Sequence, residues 1–346
     1  MINAIDIQNK PQVQAYDLIA NTNTTFFLTG RAGTGKTTFL RKVRENVNKN
    51  FVVLAPTGIA AINAGGETIH SFFGFPLTAL SADVKGNING NKISLLRHID
   101  TIIIDEISMV RCDIIDAIDR TLRHFCKSAL PFGGKQVVFV GDMFQLPPIV
   151  QKGGEQELIT DLYGAGDPYF YKAHVISRMG LCKIEFTKVY RQENQEFLSI
   201  LDNIRTGEHS DQQLNRLNSR LEAQAEAGKS IITLCSRNDV ARQINDSHLA
   251  NIKKPLYQYE AKVTGKFRDD APVETTLILK EGAQVMMCKN DSLHRWVNGT
   301  LATVVSLEAN TIRIKTEDST EVYEVYPATW EKYEQKYNRE TKTIEK

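Results

Sequence analysis

Gly30-Arg-Ala-Gly-Thr-Gly-Lys36-Thr37 fits the pattern G-x-x-x-x-G-K-[ST] of a phosphate-binding loop. Its flanks agree: Thr25-Phe-Phe-Leu-Thr29 is a short apolar, β-prone run, and Thr38-Phe-Leu-Arg-Lys-Val-Arg44 reads as a helix. Glycines let the backbone curl so that successive N–H groups face a phosphate, and a helix N-terminus adds partial positive charge. Gly30, Ala32, Gly33, Thr34, Gly35 and Thr38 are therefore expected to cradle a nucleotide. Lys36 is expected to reach the β- and γ-phosphates and the Thr37 hydroxyl to ligate Mg²⁺. The loop specifies a nucleoside triphosphate; it does not specify what the energy drives.

The rest of the chain narrows the setting. At 346 residues it exceeds one ordinary core, so two or three domains are expected. A net charge of +1 means that any nucleic-acid surface is a local groove rather than a basic whole. No run of eighteen apolar residues spans a membrane, and the N-terminus carries no signal-peptide pattern. The five cysteines form no C-x-x-C pair and the histidines show no metal spacing, which suits a reducing cytosol and gives no zinc site.

Apolar strands are predicted at 26–29, 51–55, 101–105 and 136–140, alternating with helical stretches that begin at 11–20. That order predicts a parallel sheet covered on both faces, with ligands at the carboxyl ends of its strands. A second unit is expected from about 181. It holds a strand at Lys183-Ile-Glu-Phe186, helices at 195–206, 211–224 and 238–250, and a buried strand at Ile231–Cys235. Beyond 255, short alternating strands predict a small antiparallel barrel or sandwich.

Two further strand ends carry chemistry. Ile102-Ile-Ile-Asp105-Glu106 fits an apolar strand ending in paired carboxylates: Asp105 to hold Mg²⁺, Glu106 to act as general base. Gly141-Asp-Met-Phe-Gln145-Leu-Pro-Pro148 places a glutamine where it can touch the γ-phosphate or the attacking water. Arg191, in Val189-Tyr-Arg-Gln192, is either a surface cation or a group that stabilises charge on the transferred phosphoryl. In Ala55–Ala61 and Thr68–Gly74, small and hydroxyl residues suit a phosphodiester backbone. Phe72, Phe73 and His70 have two readings: stacking on bases, or a hydrophobic hairpin near 64–76 packing inward.

Taken together, Gly30–Thr37, Ala55–Ala61 with Thr68–Phe72, Ile104–Ser108, Gly141–Pro148 and Tyr190-Arg-Gln192 resemble the Pif family of superfamily 1B 5′→3′ DNA helicases and, more distantly, RecD. Gly282–Asn290 and Val297–Thr300 look like that family's strand pair beside its β insertion. The resemblance implies an α/β fold: a RecA-like domain at 1–180, a partial second one at 181–254, and an SH3-like β-barrel insertion within 255–346. It implies ATP and Mg²⁺ as cofactors, with Lys36, Glu106, Gln145 and Arg191 catalytic, Arg191 as an arginine finger. It also implies an adenine-reading glutamine, Gln12 by spacing with Gln14 the alternative. DNA contacts fall on Thr57, Gly58, His70, Ser71 and Phe72, then Ser236 and Arg237. The implied partners are single-stranded DNA, single-/double-strand junctions and G-quadruplexes, engaged by a monomer; the alternative readings are a nucleotide-switched DNA-binding ATPase without unwinding, or an RNA helicase. The implied roles are DNA repair, recombination and telomere maintenance, in a bacterial cytoplasm and nucleoid, with nucleus or mitochondrion as alternatives. Two later family motifs are not found before Lys346, so a shortened second domain is expected.

Overall fold

Phe26–Thr29, Phe51–Ala55, Thr101–Ile104 and Gln136–Gly141 are nearly unbroken apolar runs, which only a sheet covered on both faces can bury. In the computed structural model they form such a sheet. The structure describes residues 6, 8–190, 194–221, 231–264, 273–289, 291–293, 295–296, 299–317, 319–330, 336–337 and 344–345. The chain divides into two compact units, Met1–Leu214 with Tyr333–Lys346, and Asn215–Lys332.

The first unit runs α1 (Lys10–Asn21), β1 (Phe26–Thr29), α2 (Lys36–Asn46), β2 (Phe51–Ala55), α3 (Gly58–Ala64), β3 (Glu67–Thr68) and α4 (Ile69–Phe73). It continues with α5 (Gly90–His98), β4 (Thr101–Ile104), α6 (Cys112–Cys126), β5 (Gln136–Gly141), α7 (Gly154–Tyr163), α8 (His174–Met179), β6 (Cys182–Glu185) and α9 (Gln195–Thr206); α10 (Asp211–Asn218) follows. The six strands are parallel in the order β3-β2-β4-β5-β1-β6. Successive side chains alternate between two cores. Phe27, Leu54, Ile104 and Phe139 pack against α4, α5 and α6, while Phe26, Leu28, Val53 and Val140 pack against α1 and α2. Each such side chain, fully buried, stabilises the fold by roughly 1.5–3 kcal/mol.

Helix α6 does more than cover the sheet. Its buried carboxylates Asp113, Asp116 and Asp119 recur every three residues. Asp113 accepts the Leu80 N–H at 2.8 Å, Asp116 accepts those of His174 and Val175 at 2.9 Å, and Asp119 accepts that of Phe132 at 2.6 Å. Each acid thus satisfies backbone donors in a different segment of the chain.

Three sequence expectations change. The division near 180 moves, because β6 pairs with β1 (Leu28 opposite Ile184) and the first unit runs on to Leu214. The hairpin near 64–76 is instead the edge strand β3, parallel to β2, followed by the one-turn helix α4. Residues 231–235 form no strand, and Ile231, Ile232 and Leu234 are exposed.

The second unit contains α11 (Asn238–Asn251) and an antiparallel hairpin of β7 (Leu256–Glu260) with β8 (Thr276–Lys280). Strands β9 (Gln284–Met286), β10 (Leu301–Leu307), β11 (Ile312–Thr316) and β12 (Val322–Val325) form an antiparallel sheet in the order β12-β11-β10-β9. Among its described residues, Leu279, Ala283, Val304 and Leu307 make one core and Trp296, Ala302 and Ile314 another. No helix among the described residues of the chain is long and apolar enough to cross a membrane.

Candidate active site

The carboxyl ends of β1, β4 and β5 are neighbours in the sheet order, and each delivers part of one cavity of about 390 Å³. From β1, the loop brings Gly33, Gly35, Lys36 and Thr37; from β4 come Asp105 and Glu106; from β5 comes Gln145. The loop winds tightly because its glycines permit it. Gly30 has φ +150°, and a Cβ there would lie 2.5 Å from the Phe186 carbonyl oxygen. Lys36 donates through Nζ to the carbonyl oxygens of Gly30 and Arg31, the latter at 3.2 Å. Burial holds the Lys36 ammonium below its usual pKa, although the carboxylates of Asp142, Glu106 and Asp105 oppose that shift.

Glu106 sits in the left-handed region at φ +52°, ψ +44°. For a residue with a Cβ that conformation costs about 1–2 kcal/mol, and it turns the chain sharply off the strand end. Gly141 makes the turn fit. A Cβ there would meet Ile107 N and Cγ2 at 3.0 Å, so a larger residue would have to push the Glu106–Ile107 turn outward. Burial pushes the Asp105 carboxyl above its ordinary range. Burial, followed by the adjacent Asp105 charge, does the same to Glu106. A raised carboxylate pKa suits a general base, since proton affinity rises toward working pH. The Thr37 hydroxyl and the Asp105 and Glu106 carboxylates are hard oxygen donors beside a basic loop, a set that fits Mg²⁺ bound together with phosphate oxygens.

Gln145 is fixed by Asp142. The Gln145 Nε2 donates to Asp142 Oδ2 at 3.3 Å, and its backbone N–H to the Asp142 carbonyl at 3.0 Å. Asp142 is almost wholly buried and is gripped by Arg205 of α9, with Nε to Oδ2 at 2.9 Å and Nη2 to Oδ1 at 2.7 Å. Burial alone would raise this carboxyl; the Arg205 and Phe144 donors hold it below the ordinary value. Tyr190 also lines the cavity, its ring 3.5 Å from the position of a Gly35 Cβ and its N–H bonded to the Gly33 carbonyl at 2.9 Å. Its hydroxyl is tied to Asp6 and Asn9. Sequence reasoning quoted Tyr190 and Asp142 without giving them roles and missed Arg205, whose partner lies 63 residues away.

The other expected site residues divide. Thr38 and Ala32 line the cavity. Thr34 does not: its side chain is buried and donates to the Arg31 carbonyl at 2.8 Å, bracing the loop from inside. Gly30 contributes close packing against Phe186 rather than cavity surface. Gln12 is buried in α1, its amide oxygen accepting the Asp6 N–H at 3.1 Å. Arg191 lies outside the described residues.

Of the residues expected to contact DNA, Thr57 caps the start of α3 through the Ala60 N–H at 3.2 Å, next to Gly58, the first residue of that helix. Ser71 Oγ donates to Glu67 at 2.7 Å, and Glu67 is paired with Lys92 at 3.0 Å. His70 is half-buried; burial and then the Arg111 charge lower its pKa. Phe72 does not face solvent. It is 1% exposed with its ring edge-on to Phe73 at 4.9 Å, so the stacking expectation for Phe72 is replaced by a core role. Ser236 and Arg237 are exposed in the second unit, where Arg237 pairs with Asp239 at 2.9 Å.

Comparison with known proteins agrees with this geometry. The family described as "PIF1-like helicase" matches residues 7–215. An ATP-dependent DNA helicase Pif1 of Bdellovibrio bacteriovorus is 32% identical over 321 residues, covering 90% of this chain and 70% of that protein. The human ATP-dependent DNA helicase PIF1 is 31% identical over 82% of this chain, which spans only 44% of the human protein. Crystal structures of a Bacteroides Pif1 are similar in fold. The complex with ADP-AlF4 gives a TM-score of 0.87 at 36% identity, covering 98% of this chain and 78% of that one. The form bound to ssDNA gives 0.70 at 37% identity with the same coverage. A phosphate loop, a strand-end carboxylate pair and a Gly-Asp-x-x-Gln turn on one parallel sheet, matched along this length, leave one conclusion: the chain belongs to the PIF1-like helicase family of ATP-dependent DNA helicases.

Proposed function

We propose that this chain carries the ATP-hydrolysing site of a 5′→3′ helicase that moves along single-stranded DNA and opens duplexes at single-/double-strand junctions. The convergence of Lys36, Thr37, Asp105, Glu106 and Gln145 on one cavity at the strand ends carries this reading. Lys36 leaves the Gly30 and Arg31 carbonyls to bind β- and γ-phosphate oxygens, and the loop N–H groups hold the rest of the phosphate chain. Thr37 and Asp105 would hold Mg²⁺, which when bound would neutralise charge on the phosphates. Glu106 takes the proton of the attacking water, Gln145 orients that water, and Arg191 acts as the finger that its motif implies. Tyr190 closes the cavity beside Gly35, and the adenine reader that the motif implies is Gln12 of α1, with Gln14 the alternative.

Thr57, Gly58, His70 and Ser71 lie at the ends of the neighbouring strands β2 and β3, which supports a track for the DNA backbone along that edge. The Bacteroides Pif1 bound to ssDNA supports the same substrate. Ser236 and Arg237 would add contacts from the second unit, G-quadruplexes would be further substrates, and the working form is a monomer in a bacterial cytoplasm. The test is strand displacement by the chain with ATP and Mg²⁺ on duplexes bearing either a 5′ or a 3′ overhang. Unwinding of the 5′ substrate with DNA-stimulated ATP hydrolysis is expected. Equal unwinding from both ends, or hydrolysis indifferent to DNA, would overturn the reading.

A further inference from the structure

Gln145 is largely exposed on a loop, yet its amide has a defined polarity. Its Nε2 donates to a carboxylate, Asp142, which can only accept. That assigns Oε1 to the free side of the amide, the atom able to accept a hydrogen bond from water in the cavity. Asp142 keeps this orientation because its own oxygens are occupied by Arg205 Nε and Nη2 and by the Phe144 N–H at 3.2 Å. The Arg205 guanidinium is held in turn over the Phe144 ring at 4.5 Å. One turn earlier on α9, Asp202 pairs with Arg205 at 3.3 Å and with Arg31 of the phosphate loop at 3.1 Å. Helix α9 therefore touches both the loop that holds phosphate and the acid that aims the glutamine.

We infer that Arg205 is a positioning residue for hydrolysis, a fork that fixes Asp142 so that Gln145 presents Oε1 to the attacking water. The inference rests on the proposed role of Gln145. Lysine cannot replace the fork, because a single ammonium cannot engage both oxygens in plane. The loss belongs to turnover and not to nucleotide capture, since Arg205 does not line the cavity.

The test compares Arg205→Met, Arg205→Lys, Gln145→Ala and the Arg205→Met/Gln145→Ala double variant with the wild-type chain. It measures DNA-stimulated ATP hydrolysis, affinity for a fluorescent ATP analogue, and the ¹⁵N resonance of the Gln145 side-chain amide. For Arg205→Met, kcat should fall by about tenfold to a hundredfold, as for lost orienting partners. Nucleotide affinity should stay within about twofold of wild type. Arg205→Lys should recover only part of kcat, and the double variant should match Gln145→Ala alone. Multiplying effects, or an unchanged kcat in Arg205→Met, would overturn the inference. A wild-type chain without DNA-stimulated hydrolysis would instead refute the helicase reading. The amide resonance still decides the positioning role in that case: a shift on Arg205→Met sustains it, and an unmoved resonance rejects it.

Discussion

Replacing Phe72 by alanine separates core packing from base stacking. The ring is 1% exposed, edge-on to Phe73 at 4.9 Å, with the Lys92 ammonium 5.1 Å from its centroid. Emptying such a site costs about 3–5 kcal/mol. Roughly 0.5–1.5 kcal/mol of that is the aromatic pair. Against a stability of about 5–15 kcal/mol the variant stays folded in buffer. With a urea dependence of about 2–3 kcal/mol per molar, its midpoint should drop by about 1–2.5 M. Equilibrium urea unfolding followed by circular dichroism measures that shift, and fluorescence anisotropy with a labelled oligothymidine measures binding by the folded protein. DNA affinity should be nearly unchanged. If Phe72 stacked on a base, the truncation would remove about 1–3 kcal/mol of binding and little stability. A wild-type urea midpoint together with a tenfold or greater loss of DNA affinity would therefore refute the core assignment.

Glu106→Gln should lower ATP turnover by about 10²–10⁴-fold with nucleotide binding retained, and a kcat within twofold of wild type would remove the general-base role. Gly141→Ala forces a Cβ to 3.0 Å from Ile107 N and Cγ2. It should cost about 1–3 kcal/mol by thermal or urea unfolding and reduce kcat by displacing the Glu106 turn; wild-type stability would show that β5 and the turn have slack. Asp142→Asn should lose about 1.5–3 kcal/mol at neutral pH, the worth of a charged hydrogen-bonded group. Because the folded Asp142 carboxyl lies below its ordinary value of 3.8, that advantage is present above 3.8 and is lost as pH falls through the lower folded value. The wild-type and Asn variants should therefore converge in acid, and a gap independent of pH would contradict the ion-pair account.

The phosphate loop and the four apolar strands were legible because their signals are local: glycine spacing in one case, unbroken apolar runs in the other. Strand β3 was not, since two residues carry no periodicity and its existence depends on pairing with Leu54 and Ala55 of β2. Strand β6 is legible as a strand, but nothing in Cys182–Glu185 names β1 as its neighbour. Phe72 shows a further limit: an aromatic beside small and hydroxyl residues reads equally as a stacking platform or as core. Only the surrounding Phe73 and Lys92 decide between them. Thr34 fits the loop pattern in sequence, yet only the fold shows its hydroxyl turned back to Arg31. Arg205 carries no motif at all; its meaning arises from a carboxylate just past the end of β5, 63 residues earlier in the chain.

The three acids of α6 bear on the order in which the chain assembles. Asp119 reaches Phe132 across 13 residues, Asp113 reaches Leu80 across 33, and Asp116 reaches His174 across 58. Closing the longest of these loops costs about 1.3 kcal/mol more entropy than the shortest. The Phe132 tie should form soon after the helix itself, the Leu80 tie next, and the His174 tie last. The segment leading into β6 is then the last strand-bearing piece recruited and the first to be released when the domain opens from that edge. Protection of backbone amides should decay in that sequence, with His174 and Val175 exchanging ahead of Leu80 and Phe132. A single helix would thereby set the order in which the sheet beside it is completed, and a reversed or uniform exchange order would refute it.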